Sequence, residues 1–184
     1  MEFSSIIISG LPCSGKTTLI ERLSKNLDDW KIKSIGKKWR DKWRETYPNG
    51  EVSFEEYWRN TGHEENFAVN VEARKEIAEG NIIYDSRYSA LYCQDLAALR
   101  VFITAPLDVR TLRATQKPEY RVKTFEGVKT ILIMREDDEF KRGLDLFGKD
   151  YRAKSHYDLV LDSNEDTIDQ ELSQILAAQN GSKP

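Results

Sequence analysis

Short apolar runs recur along the chain, each closed by a turn residue or a charge, and stretches with helical periodicity lie between them. Five runs have strand length, at 3–9, 32–35, 81–85, 99–104 and 158–162. A helix-length segment separates each run from the next, so the strands are expected to pair in parallel through right-handed crossovers rather than as hairpins. Helices are predicted at 16–27, 37–45, 54–59, 64–79, 90–97, 107–115, 122–147 and 167–178, with Gly80-Asn81 stopping the fourth and opening the third strand. The pattern predicts a three-layer α/β domain, a five-stranded parallel sheet covered by helices on both faces. Neither a repeat nor a linker divides it, so one domain is expected over 1–180, with a short polar tail at 181–184.

The first strand leads into Gly-Leu-Pro-Cys-Ser-Gly-Lys-Thr, residues 10–17, which fill every fixed position of the pattern G-x-x-x-x-G-K-[ST]. Ile6-Ile7-Ile8 supplies a buried strand ahead of this loop and Thr17-Thr18-Leu19-Ile20 opens a helix behind it, the context in which backbone N–H groups curl around an anion. Gly10 and Gly15 permit the curl, and Pro12, Cys13, Ser14 and Thr18 complete the cradle. Lys16 would reach the outer phosphates of a nucleoside triphosphate, and the Thr17 hydroxyl would ligate Mg2+.

Composition narrows the partners. The 184 residues suit one domain with a full core. With 28 basic and 31 acidic residues the net charge is -3, so no global positive field recruits nucleic acid. One of the two cysteines, Cys13, sits inside the phosphate loop, where a disulfide would restrict the backbone; a reduced, cytoplasmic setting is expected. The N-terminal apolar stretch is short, lacks a basic leader and runs into the loop, and no segment approaches the roughly 18 apolar residues of a membrane span. A soluble monomer is the expectation.

In an open parallel sheet, ligands gather beyond the carboxyl ends of the strands. Those ends carry Ser34, Gly36 and Arg40; Asp85 and Arg87; Ala105-Pro106 with Arg110 and Arg113; and Asp162-Ser163. Asp85 could hold a magnesium-bound water or take a proton from an acceptor hydroxyl, or it could simply cap a turn. Arg87, two residues on, could fork onto an acceptor phosphate as lysine cannot. Arg135 and Arg142, seven apart, share one helix face with Glu139; the face suits phosphates and sugar hydroxyls, and equally a solvated surface.

Taken together, the chain resembles the cytidylate kinases, particularly the short archaeal form. The matching residues are Ser34, Gly36 and Arg40 after the second strand, Asp85-Ser86-Arg87 after the third, Ala-Pro-x-x-x-Arg-x-x-Arg at 105–113, the Arg135 and Arg142 pair, and Tyr-Asp-Leu-Val-Leu-Asp-Ser at 157–163. They occur in the family's order and span most of the chain. The resemblance implies a P-loop fold with an acceptor-binding helical arm about 36–79 and a lid about 115–129, and phosphoryl transfer from ATP to CMP or dCMP with Mg2+. It further implies that Lys16 and Thr17 hold the donor phosphates and metal, and that Arg113 begins a lid closing over ATP. Arg40, Arg87 and Arg142 would contact the acceptor phosphate, with Ser34 and Gly36 in the same pocket. Arg135 would face the transferred group, and Glu139 would take ribose hydroxyls. Transfer to a phosphate oxygen needs positioning and charge neutralisation rather than a strong base, which agrees with so many arginines.

The chain departs from that pattern at Ser86, where the family has glycine, and at Lys37, where it has an acidic or small residue. A lysine pointing into the base pocket would offer only donors and favour uracil or thymine over cytosine. The lid offers Gln116, Lys117 and Arg121 where the family carries an arginine pair. Two other readings stay open: a kinase of the same fold acting on a small-molecule or nucleoside hydroxyl, with Asp85 as base, and a nucleotide-binding regulatory module.

Overall fold

A computed structural model describes residues 3–120 and 123–181. Its strands are β1 (Ser5–Gly10), β2 (Lys31–Ser34), β3 (Ile82–Asp85), β4 (Ala98–Thr104) and β5 (Leu159–Asp162). All pair in parallel, in the order β2-β3-β1-β4-β5, which puts β1 at the centre. Every residue of β1 is buried, as its unbroken apolar run requires of a strand covered on both faces. Successive side chains point to opposite sides. Ile6 and Ile8 therefore meet α1 (Lys16–Leu23) and α8 (Ile168–Gln179) on one face, through Leu19, Ile20, Leu23 and Ile175, while Ile7 packs with Ala73 and Ile77 on the other. At the edge, β2 alternates lysines 31 and 33 with the half-exposed Ile32, a composition that discourages further pairing.

The remaining helices are α2 (Ile35–Thr46), α3 (Phe54–Asn60), α4 (His63–Glu79), α5 (Ser89–Tyr92), α6 (Leu107–Thr115) and α7 (Phe125–Phe147), with 3-10 turns at Pro118–Tyr120 and Lys154–His156. All five expected strands and their parallel pairing are present, and the helix boundaries moved for local reasons. Helix α1 stops at Leu23, short of residue 27, because the chain tightens into bonds from the Lys25 N–H to the Arg22 carbonyl and from the Asn26 N–H to the Leu23 carbonyl. The helix expected at 90–97 is reduced to one turn, α5; Arg74 of α4 grips Asp95 with two bonds of 2.8 and 2.6 Å and turns the chain toward β4. Helix α2 starts at Ile35, taking the last residue expected of the strand, since the Ser34 hydroxyl caps it by accepting from the Lys37 N–H. Thr124 caps α7 in the same way by accepting from the Gly127 N–H. The expected helix start at Val122, the lid residue Arg121 and tail residues 182–184 lie outside the described residues.

Candidate functional site

Beyond the carboxyl ends of the strands lies a cavity of about 980 Å3, lined by residues 12–18 of the loop, by Asp85 and Arg87 after β3, and by Ser163 after β5. The loop leaves β1 at Gly10, where φ is 146° and an added Cβ would stand 2.2 Å from the Ile103 carbonyl oxygen, so no side chain fits. It enters α1 at Gly15, a left-handed cap with φ of 102° and no side-chain partner, leaving the first-turn N–H groups without a capping side chain. Cys13 also takes a positive φ, 60°. The Ser14 hydroxyl is buried with no hydrogen-bond partner among the described residues.

Lys16 folds back over this curl and donates to the carbonyls of Gly10 at 3.0 Å and Leu11 at 2.7 Å. Burial first, and the Arg87 guanidinium second, push its pKa down to about 7 against the opposing pull of Asp85 and Glu139. The same enclosure holds three further charges. Glu139, 4% exposed, accepts from Arg87 at 2.8 Å and from Arg135 at 3.0 Å through Oε1, and from the Tyr151 hydroxyl at 3.3 Å through Oε2. Burial works against its charge, but Arg87 and Arg135 outweigh that and hold the carboxyl below its usual range. Arg87 also donates to the Gly10 carbonyl. Two arginines, one lysine and one glutamate thus meet at the loop, an excess of positive charge aimed where phosphates would sit.

Each expected residue can now be placed. Pro12, Cys13, Ser14, Gly15, Lys16, Thr17, Thr18, Gly36, Arg40, Asp85, Arg87, Arg113, Arg135 and Glu139 all line the cavity. Gly10 lies beneath it. Ser34 is outside the lining, capping α2 and donating to Asp85 at 2.9 Å. Arg113, in the last turn of α6, donates to the Ser163 hydroxyl and carbonyl, each at 2.7 Å, and that hydroxyl reaches on to the Ser14 carbonyl at 2.7 Å. Lys37 is exposed and absent from the cavity lining.

Arg142 stands apart from the other expected residues. It lies outside this lining, stacked 3.8 Å above the Trp58 ring and donating to the Trp58 carbonyl at 2.7 Å, beside a second hollow of about 340 Å3 between α3 and α7. A guanidinium within reach of both an aromatic face and a helix-end carbonyl takes them in preference to open solvent. Glu139 is already engaged at both oxygens, by Arg87 and Arg135 at Oε1 and by Tyr151 at Oε2.

Arg110, named at the end of the fourth strand, turns out to brace the loop, and three further residues, Asn66, Asn70 and Glu171, had not been expected at the site. Arg110, 3% exposed, donates to the Ala105 carbonyl at 2.9 Å and to the Pro12 carbonyl at 3.3 Å and pairs with Glu136, tying the loop to α6 and α7. Asn66 and Asn70 of α4 line the cavity with Trp39, Phe54 and Trp58. Glu171 of α8 lines the opposite end, buried. Their signals in the sequence are ordinary: a polar residue within an amphipathic helix reads as solvated unless the sheet that buries it is known.

Set beside solved structures, the chain superimposes on shikimate kinase from Bacteroides thetaiotaomicron with a TM-score of 0.61 at 15% identity, covering 96% of this chain and 98% of that one. A gluconokinase from Sinorhizobium meliloti gives 0.56 at 14% identity, covering 97% and 93%. The fold is that of the P-loop kinases. Residues 5–165 match the cytidylate kinase-like family, and the chain belongs to it: it is a nucleoside monophosphate kinase. Among curated relatives, the cytidylate kinase of Sulfurisphaera tokodaii is 32% identical over 94% of this chain and 93% of its own length. That of Methanopyrus kandleri is 30% identical over 94% and 91%.

Proposed function

We propose that the protein transfers a phosphoryl group from ATP to CMP or dCMP. The observation that carries this is the Arg87–Glu139–Arg135 cluster beside Lys16, under one cavity continuous from the loop to the α2–α4 arm. A kinase for alcohols needs a base at the acceptor, whereas a phosphate acceptor needs cations on both sides of the transferring group. The unpartnered Ser14 hydroxyl and the uncapped start of α1 suit a bound triphosphate, and an anion there would restore the charge that burial takes from Lys16. Among the described residues no acidic or histidine cluster could cage a metal, so Mg2+ would be held by the Thr17 hydroxyl together with phosphate oxygens, as magnesium commonly is in such sites. It would supply charge neutralisation between donor phosphates.

In this reading Lys16 and Arg135 hold the transferred group, Arg87 and Arg40 the acceptor phosphate, and Glu139 holds Arg87 and Arg135 at fixed spacing. Residues 36–79 act as the acceptor arm and 115–129 as the lid, whose closure would exclude water from the reacting groups. Arg142 reaches an acceptor only after leaving Trp58. Two features favour cytosine. Lys37 is outside the pocket, and Asn66 commits its amide nitrogen to the Thr61 and Gly62 carbonyls at 3.2 and 2.9 Å, which leaves its oxygen as an acceptor for an amine.

The test is kcat/KM for CMP, dCMP, UMP, dTMP and the matching nucleosides, with ADP release as the readout. CMP and dCMP should lead and nucleosides should be inert, and Arg87→Lys should raise the KM for the monophosphate by about tenfold as the two-pronged contact is lost. Efficient turnover of a nucleoside, abolished by Asp85→Asn and indifferent to Arg87→Lys, would instead establish a hydroxyl kinase.

A further inference from the structure

The cavity lining includes a buried acidic side chain that phosphate chemistry leaves unused. Glu171, in the first turn of α8, is 4% exposed and lines the cavity with Thr18, Arg113, Ser163, Asp166 and Ile168. Its Oε1 has no hydrogen-bond partner among the described residues. A buried carboxyl oxygen without a partner is costly, and a protein that keeps one beside an open cavity has a place for a donor group to arrive.

The sheet order says what arrives. Asp85, Arg87 and the α2–α4 arm stand on the β3–β2 side of the phosphate loop, whereas Arg113, Ser163 and Glu171 stand on the β4–β5 side. On the proposed reading of the acceptor side, the phosphates bridge the middle and the nucleoside of the donor extends the other way, toward Glu171. We infer that Glu171 reads the base of the phosphate donor, pairing with adenine when protonated and with guanine when ionised. A neutral carboxyl accepts from the adenine exocyclic amine and donates its O–H to the adjacent ring nitrogen. A carboxylate offers two acceptors and no donor, which matches the neighbouring N–H and NH2 of guanine and clashes with the adenine ring nitrogen.

The surroundings keep both forms accessible. From the elements packed on Glu171, the charged groups bearing on it are Asp166, Arg113 and Asp162. Burial first and Asp166 second push the Glu171 pKa up to about 7, with Asp162 adding to the push and Arg113 opposing it. Asp166 is itself held by the Gln174 amide at 3.3 Å, and Arg113 by Ser163.

The test is calorimetric binding of ATP and of GTP to the full chain at about pH 6 and about pH 8.5, on either side of the transition. Wild type should favour ATP at the lower pH, and the ATP:GTP affinity ratio should fall about tenfold at the higher one. Glu171→Gln presents the same acceptor and donor as the neutral acid, so it should keep the ATP preference at both values. Glu171→Leu should bind the two alike at both. Titration of Lys16 acts on the phosphates common to both nucleotides and cancels in the ratio. A ratio that is independent of pH and unchanged in both variants overturns the inference. Binding needs no acceptor, so the outcome is separate from the monophosphate panel: loss of CMP activity with a responsive ratio would count against the proposed acceptor only.

Discussion

Around the phosphate loop, cationic side chains are held by backbone carbonyls: Lys16 by Gly10 and Leu11, Arg110 by Ala105 and Pro12, Arg113 by Ser163. Along the α2–α4 arm the charges hold one another at the surface, as in Lys42 with Glu65, Arg44 with Asp41, and Arg59 of α3 with Asp138 of α7. The apolar contacts differ in the same way. The loop grows out of a strand with no exposed residue, whereas α2 buries only Trp39 and meets α3 through edge contacts such as Trp43 with Phe54 and Tyr47 with Tyr57, the arm being anchored to the sheet at its far end, by Ala73 and Ile77 of α4. A site that binds phosphates in a fixed geometry gains from a rigid frame, while an arm that must admit and cover a substrate needs contacts that can be broken at small cost.

The sharpest way to break the donor half is Lys16→Ala. Transfer should fall by the equivalent of about 3–4 kcal/mol in the transition state, as for other preorganised electrostatic contacts, with the far-ultraviolet circular dichroism spectrum unchanged. Wild-type turnover in the folded variant would remove the loop from the reaction.

Glu139→Gln tests whether the enclosed charges are a single unit. Removing the shared anion leaves Arg87, Arg135 and Lys16 facing one another in a buried setting, with an expected loss of about 3 kcal/mol in denaturant unfolding. Inorganic phosphate or ATP should recover part of it, because an anion in the loop replaces the missing charge. A loss that no anion relieves would make Glu139 a packing residue alone.

Glu171 sets a pH dependence. Its folded pKa is raised from 4.5 to about 7, so the folded chain holds that proton more tightly than the unfolded chain; the resulting stability is present at acid pH and lost as pH rises to about 7. Glu171→Gln should therefore come nearest to wild type below the unfolded pKa, at about pH 4, and exceed it by on the order of 1–3 kcal/mol at about pH 8. A stability difference that does not change with pH would contradict the buried, strained carboxyl.

The smallest effect belongs to the arm. Breaking the exposed Arg59–Asp138 pair by Arg59→Ala should cost no more than about 1 kcal/mol in stability, yet ease the arm away from α7 and change the KM for CMP more than kcat. If the cost approaches that of Glu139→Gln, the two halves are built alike and the contrast fails.

Local sequence was enough to place the strands and the loop, because their cues are contained within a few residues: the run Ile6-Ile7-Ile8 with nothing polar in it, the two glycines, Lys16 and Thr17. The parallel pairing followed from the helix-length spacers, whereas the order of the strands in the sheet came only with the tertiary structure. Arg87 and Arg135 could be suspected from where they fall, but their convergence on one carboxylate joins residues 52 apart through Glu139 and could not be read locally. Nor could the fate of Arg142, whose partner Trp58 is 84 residues away on another helix. Glu171 shows the limit most clearly. In the sequence it is one more acid in the first turn of a helix, and only the packing of α8 onto β4, β5 and α1 buries its carboxyl at the cavity. Chain-local features follow from backbone geometry and periodicity; desolvation and charge pairing depend on which distant segments meet, and those are set by the fold as a whole.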